Sequence, residues 1–363
     1  HARDGVAVTA SQSALTRSKF EGLKDAPGFA DTFLVYSRPP AVGHILRQPA
    51  LARTLATLAE RGLDDFYRGE IGALIGAELE RVGSPLRSCD LAAYAAQIVE
   101  PLAVRLADST VYNLPPPTQG LAALMILGIF ERLGITEGEG FAHVHGLVES
   151  TKRAFRVRDK VVTDPRRLPA DPGSFLSAAA LDQRAADIDP TRALPWPDPA
   201  APGDTIWMGA VDREGRAVSF IQSVYWEFGS GVVLRDTGIT WQNRGTSFSL
   251  DPAALNALEP GRKPFHTLNP SLALFDDGRV MPYGTMGGEG QPQTQAAVFT
   301  RYARFGQPLQ QAVSAPRWLL GRTWGDVTTT LKLESRFDPA LVQALRDAGH
   351  DVEMLNEAYS DTM

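Results

Sequence analysis

Cysteine is nearly absent from this sequence of 363 residues: Cys89 stands alone. One thiol excludes an intrachain disulfide, a disulfide framework and a thiolate metal cluster. Histidine is also sparse, with six copies. No stretch resembles a signal peptide, no apolar run reaches the length of a membrane span, and no long basic run occurs. With a formal net charge of −6, the chain has no electrostatic case for a nucleic-acid or membrane-surface partner. The expected location is cytoplasmic, with the periplasm as the alternative. The start His1-Ala2-Arg3-Asp4 carries no initiator methionine and reads as the interior of a longer chain. Repeats and low-complexity tracts are missing as well.

What is present belongs to an ordinary globular protein: 44% hydrophobic and 21% charged residues, in a chain long enough for a large core. The first half reads mostly as helix. Helical spacing and punctuation predict segments over 11–22, 49–62, 71–82, 118–133, 140–156 and 174–187. Two strands are expected at 104–106 and 111–114. The 118–133 segment is apolar on nearly all sides and is expected to lie centrally. His143 and His145 are two apart on a helix and point in different directions, so a shared ion is disfavoured and surface histidines are expected. No metal and no cofactor are expected.

Five prolines between Pro190 and Pro202 then crowd the approach to Gly203-Asp204-Thr205, a segment unsuited to regular pairing and open to cutting. After it the pattern turns to β. Hairpins are predicted for 205–212 with 217–224 and for 271–275 with 280–283, with further strand character at 232–234 and 238–241. Helices are expected at 309–315 and 339–348, with a strand at 331–334. Gly284-Thr285-Met286-Gly287-Gly288-Glu289-Gly290-Gln291-Pro292 leads from a strand into a helix. Glycine allows close backbone approach, and free amides at a helix start point toward negative charge. The segment is therefore a candidate oxyanion site, with a plain structural turn as the alternative. Without a Walker lysine it is no P-loop. A threonine opening a strand behind a cleavable loop has the layout of an N-terminal nucleophile, although on its own it is also an ordinary β-branched strand residue.

Taken together, these stretches resemble the γ-glutamyltranspeptidase family of N-terminal nucleophile hydrolases over nearly the whole chain. The matches are Asp65 to Ile71, Tyr112 to Gly120 and Glu149 to Asp159 in the helical half. In the β half they are Thr205, the pattern Val211-Asp212 to Ser219, Ser223, Phe228 to Gly231, Gly238 to Asn243, and Gly287-Gly288. The resemblance implies an α+β fold, a four-layer αββα sandwich. It also implies self-cleavage between Asp204 and Thr205, giving a large chain of residues 1–204 and a small chain of residues 205–363 that stay together as a heterodimer within one such domain. Thr205 would be the nucleophile and its freed amine the base. Ser223 would support it, and the Gly287 and Gly288 amides would hold the oxyanion.

Departures from the family pattern bear on substrate. Ser247 stands where an acid would hold a glutamate α-ammonium, and Arg244 replaces a neutral amide. His266 and Thr267 replace a serine pair. Trp207, Tyr225 and Trp226 are unusual and either narrow the pocket or pack the core. Losing an acid and gaining a guanidinium favours a small anionic amide without an ammonium group. These features look most like the oxamate amidohydrolase branch. The alternatives are a γ-glutamyltransferase or glutathione hydrolase, a β-lactam acylase, and an uncleaved, degenerate binding protein.

Overall fold

The computed structural model describes residues 1–196, 204–321 and 328–356, and the chain divides into two compact units. The first comprises residues 1–98 with 226–243; the second, 99–225 with 244–363. The fold is α+β.

In the first unit the strands β1 (Val6–Ala7) and β2 (Ile45–Leu46) pair antiparallel. The same unit contains α1 (Ala10–Leu23), α2 (Phe29–Phe33), α3 (Pro49–Arg61), α4 (Asp65–Arg68), α5 (Glu70–Arg81) and α6 (Ser88–Ala93). Proline in the first turn of α3 and Gly62 after its last residue give the start and stop expected from sequence. Ile71, Ile75 and Leu79 recur one helical turn apart and are buried together. The strand character expected at 232–234 and 238–241 reduces to a single bridge, Val233 to Thr240. Gly231 and Gly238, both with positive φ, interrupt any longer ladder.

The second unit is built on the sheet β3-β4-β7-β8: Leu102–Arg105, Ser109–Asn113, Ser271–Phe275 and Val280–Tyr283, antiparallel throughout. Helix α7 (Gly120–Glu131) packs on it and on α8 (Phe141–Val161). Every residue of α7 from Gly120 to Phe130 is buried, as an all-round apolar helix must be. Its Leu121, Leu124, Met125 and Ile129 join the largest core cluster; each such leucine contributes about 2–5 kcal/mol by the cost of its truncation. The unit also contains helices α9 (Ala178–Ala186), α10 (Gln291–Phe299), α11 (Leu309–Ser314) and α12 (Pro339–Asp347). A three-stranded sheet has the order β11-β10-β9, formed by Val352–Met354, Leu331–Leu333 and Trp318–Leu320. No described helix is long and apolar enough to cross a membrane.

The remaining strands, β5 (Asp204–Val211) and β6 (Ala217–Tyr225), form a two-stranded ribbon turned at Asp212 to Arg216. Its register shifts between Asp204, opposite Tyr225, and Ile206, opposite Gln222. Ser223 and Val224 therefore both lie opposite Thr205, a bulge of the sort that re-aims side chains.

Candidate active site

Thr205 is half-buried on the inward face of the ribbon, and Ser223 stands on the same face of β6. The Ser223 hydroxyl accepts from the Tyr225 amide at 2.8 Å, closing the strand end. Tyr225 takes a φ of +82°, a region costly for an aromatic residue, and its ring is buried. Asp204 pairs through its backbone with Tyr225. The Thr205 nitrogen is here a peptide amide and has no basicity.

The glycine segment reaches the same place from 86 residues away: Gln291 Nε2 donates to Thr205 Oγ1 at 3.3 Å. Gly287 has φ +108°, a conformation that side chains resist, and it turns the chain into a 3-10 turn at Gly288–Gly290 and then α10. Gly287 and Gly288 are both buried, so a helix start adjoins the threonine hydroxyl. Beside it, Gly284 accommodates the Trp207 indole, for an added Cβ would come within 2.3 Å of that ring. Trp207 Nε1 donates to Ser219 at 2.9 Å. Trp207 thus packs against the glycine segment, whereas Trp226 is 38% exposed and belongs to the first unit.

Arg244 opens a short 3-10 turn and is buried. Its guanidinium lies 3.4 Å from the centroid of the Tyr225 ring, donates from Nη1 to Ser247 Oγ at 3.1 Å, and from Nη2 to Thr267 Oγ1 at 2.8 Å. Burial pulls its pKa down to about 10, against the opposing pull of Tyr225 and Glu289, so it remains a cation at neutral pH. His266 is held at about 3, first by burial and then by Arg244, and is neutral. Its Nδ1 accepts from the Leu268 amide at 3.4 Å and its own amide donates to Pro117 at 2.8 Å. The sequence had grouped Arg244, Ser247, Thr267 and Tyr225 only by resemblance; the fold brings these four into contact, with His266 close enough to feel the charge.

The histidine expectation needs correction. His143 and His145 are buried, not on the surface. His143 accepts from the Glu139 amide at 3.0 Å and meets Thr300 at 2.9 Å; burial and then Arg301 lower it to about 4. His145, Glu149 and His350 bring ligand-type atoms within 4.8 Å of one another. However, His145 Nε2 faces the Asp189 carbonyl at 2.9 Å and must donate, leaving Nδ1 to accept from His350 Nε2 at 2.9 Å. Glu149 accepts from Lys152 and Arg153, both at 2.7 Å. An ion there would have to displace an ammonium and a shared proton. Hydrogen bonding is the physical account of this cluster.

Sequence reasoning missed Gln291 and the support behind Gly288. A usable signal was there: Gln291, Gln293 and Gln295 are uncharged amides in an apolar setting, and all three are buried. Such groups need partners, and these find Thr205, the Leu320 backbone and the Asn269 carbonyl.

Comparison with known proteins bears on the chain as a whole. A family model described as gamma-glutamyltranspeptidase matches residues 1–363. The oxamate amidohydrolase proenzyme of Klebsiella pneumoniae is 54% identical over 363 residues, covering 100% of this chain and 69% of that protein. The glutathione hydrolase-like YwrD proenzyme of Bacillus subtilis is 39% identical over 359 residues, covering 98% and 68%. Among solved structures, the cephalosporin acylase from Bacillus halodurans superposes with a TM-score of 0.89 at 34% identity, over 97% of this chain and 65% of that one.

Proposed function

Because the chain belongs to the γ-glutamyltranspeptidase family, in the branch of the oxamate amidohydrolase proenzyme, we propose that the full-length protein cleaves itself between Asp204 and Thr205 and then hydrolyses oxamate. The observation that carries this reading is the 3.3 Å contact of Gln291 Nε2 with Thr205 Oγ1, which joins the strand start to the glycine turn. Cleavage converts the Thr205 amide into a free amine, which takes the hydroxyl proton as the hydroxyl attacks the oxamate amide carbonyl. The Gly287 and Gly288 amides receive the developing oxyanion, each worth on the order of a hundredfold in rate. Ser223, opposite Thr205 across the bulge, supports the nucleophile. Ammonia leaves with the proton, and water hydrolyses the oxalyl ester to oxalate and the free enzyme.

Arg244 accounts for the choice of a small anion. A buried cation held by hydroxyls and a ring face is suited to a carboxylate, with Thr267 and His266 alongside. Ser247 receives a hydrogen bond from Arg244 and offers no negative charge to an α-ammonium, which argues against a γ-glutamyl donor. In the same proposal, 1–204 and 205–363 remain together as a heterodimer within one four-layer αββα sandwich. That division is covalent; the two compact units are a division of packing.

The test is steady-state ammonia release by the full-length protein. Arg244→Gln should lower kcat/KM for oxamate by roughly ten- to a thousandfold, the range for a charge-assisted contact, while self-cleavage survives. The wild type should turn over γ-glutamyl-p-nitroanilide poorly, and Ser247→Asp should not improve oxamate turnover. Efficient γ-glutamyl transfer without oxamate hydrolysis would overturn the substrate and leave the Thr205 mechanism standing.

A further inference from the structure

Gln119 lies one residue before the end of the Tyr112 to Gly120 stretch, sits at the start of α7 and is fully buried. Its Nε2 donates to two main-chain carbonyls on separate loops, Thr267 at 2.9 Å and Gly288 at 2.6 Å. Its Oε1 accepts from Arg158 Nη1 at 3.2 Å. These partners fix the orientation of the amide, since a half-turn would set an oxygen against two carbonyls and an NH2 against a guanidinium. Arg158 is itself buried and immobilised: it pairs with Glu289, donates to Asp159 at 2.7 Å and lies 3.8 Å from the Phe155 ring centroid.

Each loop held by Gln119 carries one half of the proposed site. Thr267 Oγ1 accepts from Arg244 at 2.8 Å, and Gly288 belongs to the glycine pair. One side-chain amide therefore ties the backbone that seats the guanidinium to the backbone that presents the oxyanion donors. Oxamate has its carboxylate bonded directly to the amide carbon, so the two halves must stand at one short, fixed separation. A longer acid amide bends its methylenes to fit.

We infer that Gln119 is a positioning residue that sets the spacing between Arg244 and the Gly287–Gly288 amides and thereby selects acid amides by length. The inference rests on the roles proposed above for those two sites. Gln119 touches no reacting atom and acts through the two loops.

The experiment compares oxamate, malonamate and succinamate with full-length wild type, Gln119→Met and Gln119→Glu, each checked for self-cleavage and thermal midpoint. Loosening the tie should lower kcat/KM for oxamate about ten- to a hundredfold, in keeping with the cost of a misplacement of an ångström or less, and for succinamate less than about threefold. The ratio between the two then collapses. Gln119→Glu keeps the shape and still meets Arg158 but donates no hydrogen bond to the carbonyls, so it should collapse the ratio as Gln119→Met does. An isosteric Glu variant with the wild-type ratio would overturn the inference, as would parallel loss on all three amides. If the wild type ignores oxamate, the oxamate reading fails by itself. The ratio is then taken between the amide it prefers and the next longer one, and an unchanged ratio there overturns the role of Gln119 alone.

Discussion

The sheet β3-β4-β7-β8 turns alternate residues such as Val111, Ala273 and Phe275 into the core, as a half-covered sheet should. The ribbon β5-β6 obeys the same alternation with different contents. Its outward face carries Ile206, Met208, Val218, Phe220 and Val224, between 37% and 54% exposed. Its inward face carries Thr205, Ser219 and Ser223 together with Trp207 and Ile221. Period two identifies a strand and its two faces; it does not say which face goes inside. In the four-stranded sheet, apolar burial decides. In the ribbon three hydroxyls share the inward side with Trp207 and Ile221 beside the glycine turn, and under the proposed function chemistry takes part of the place that packing fills elsewhere.

If that is the division of labour, the largest effect belongs to the ribbon's inward face. Thr205→Ala in the full-length protein should leave one uncut chain on a denaturing gel and lower ammonia release by at least about 10⁴-fold, the scale for losing a nucleophile. A cut or active variant would break the comparison.

A second effect, several kcal/mol in size, comes from acid and falls outside the ribbon. His143, His266 and His350 titrate near 4, 3 and 3 in the folded chain, from an ordinary value of 6.5. Between about 6.5 and 3 the unfolded chain binds more protons, so stability rises with pH through that window and levels off above it. Each histidine contributes up to about 1.4 kcal/mol per pH unit. The uncut Thr205→Ala chain should therefore lose urea midpoint steadily below pH 6. A midpoint flat down to pH 4.5 would show these histidines to be charged or exposed.

The smallest contrast tests the faces directly. In the same uncut background Phe275→Ala should cost about 3–5 kcal/mol, whereas Phe220→Ser should stay within about 0.5 kcal/mol. A cost above about 2 kcal/mol at Phe220 would mean that the outer face of the ribbon is covered, since exposed sites seldom reach that figure.

Most of the fold was legible in local pattern. The hairpin of β7 and β8 falls where the alternating runs and Asp276-Asp277-Gly278 predict it, and α7 is as central as its all-round apolar sequence requires. The family, its oxamate branch and an amidohydrolase character were legible through spaced motifs. What escaped depends on partners far along the chain. His143 and His145 point in different directions from α8, and each direction is covered by a distant partner: Thr300 and His350, 157 and 205 residues away. Gln119 read as a landmark because its partners at Thr267 and Gly288 lie 148 and 169 residues on. Short edge strands such as β9 and β11, three residues each, carry too little pattern to be seen.

The four-stranded sheet takes β3 and β4 from before the Asp204–Thr205 bond and β7 and β8 from after it. Its central ladder runs from Ser109 opposite Phe275 to Tyr112 opposite Leu272, and α10 packs on α7 across the same divide. As one chain, this protein folds at a rate independent of how much of it is present. Once cut, refolding requires two molecules to meet, and its midpoint must climb with concentration. Either piece alone would also present the open edge of β4 or β7 to any other strand. Self-cleavage would thus alter more than catalysis: it would tie refolding to concentration, so that in dilute solution the mature form persists chiefly by the slowness of its unfolding.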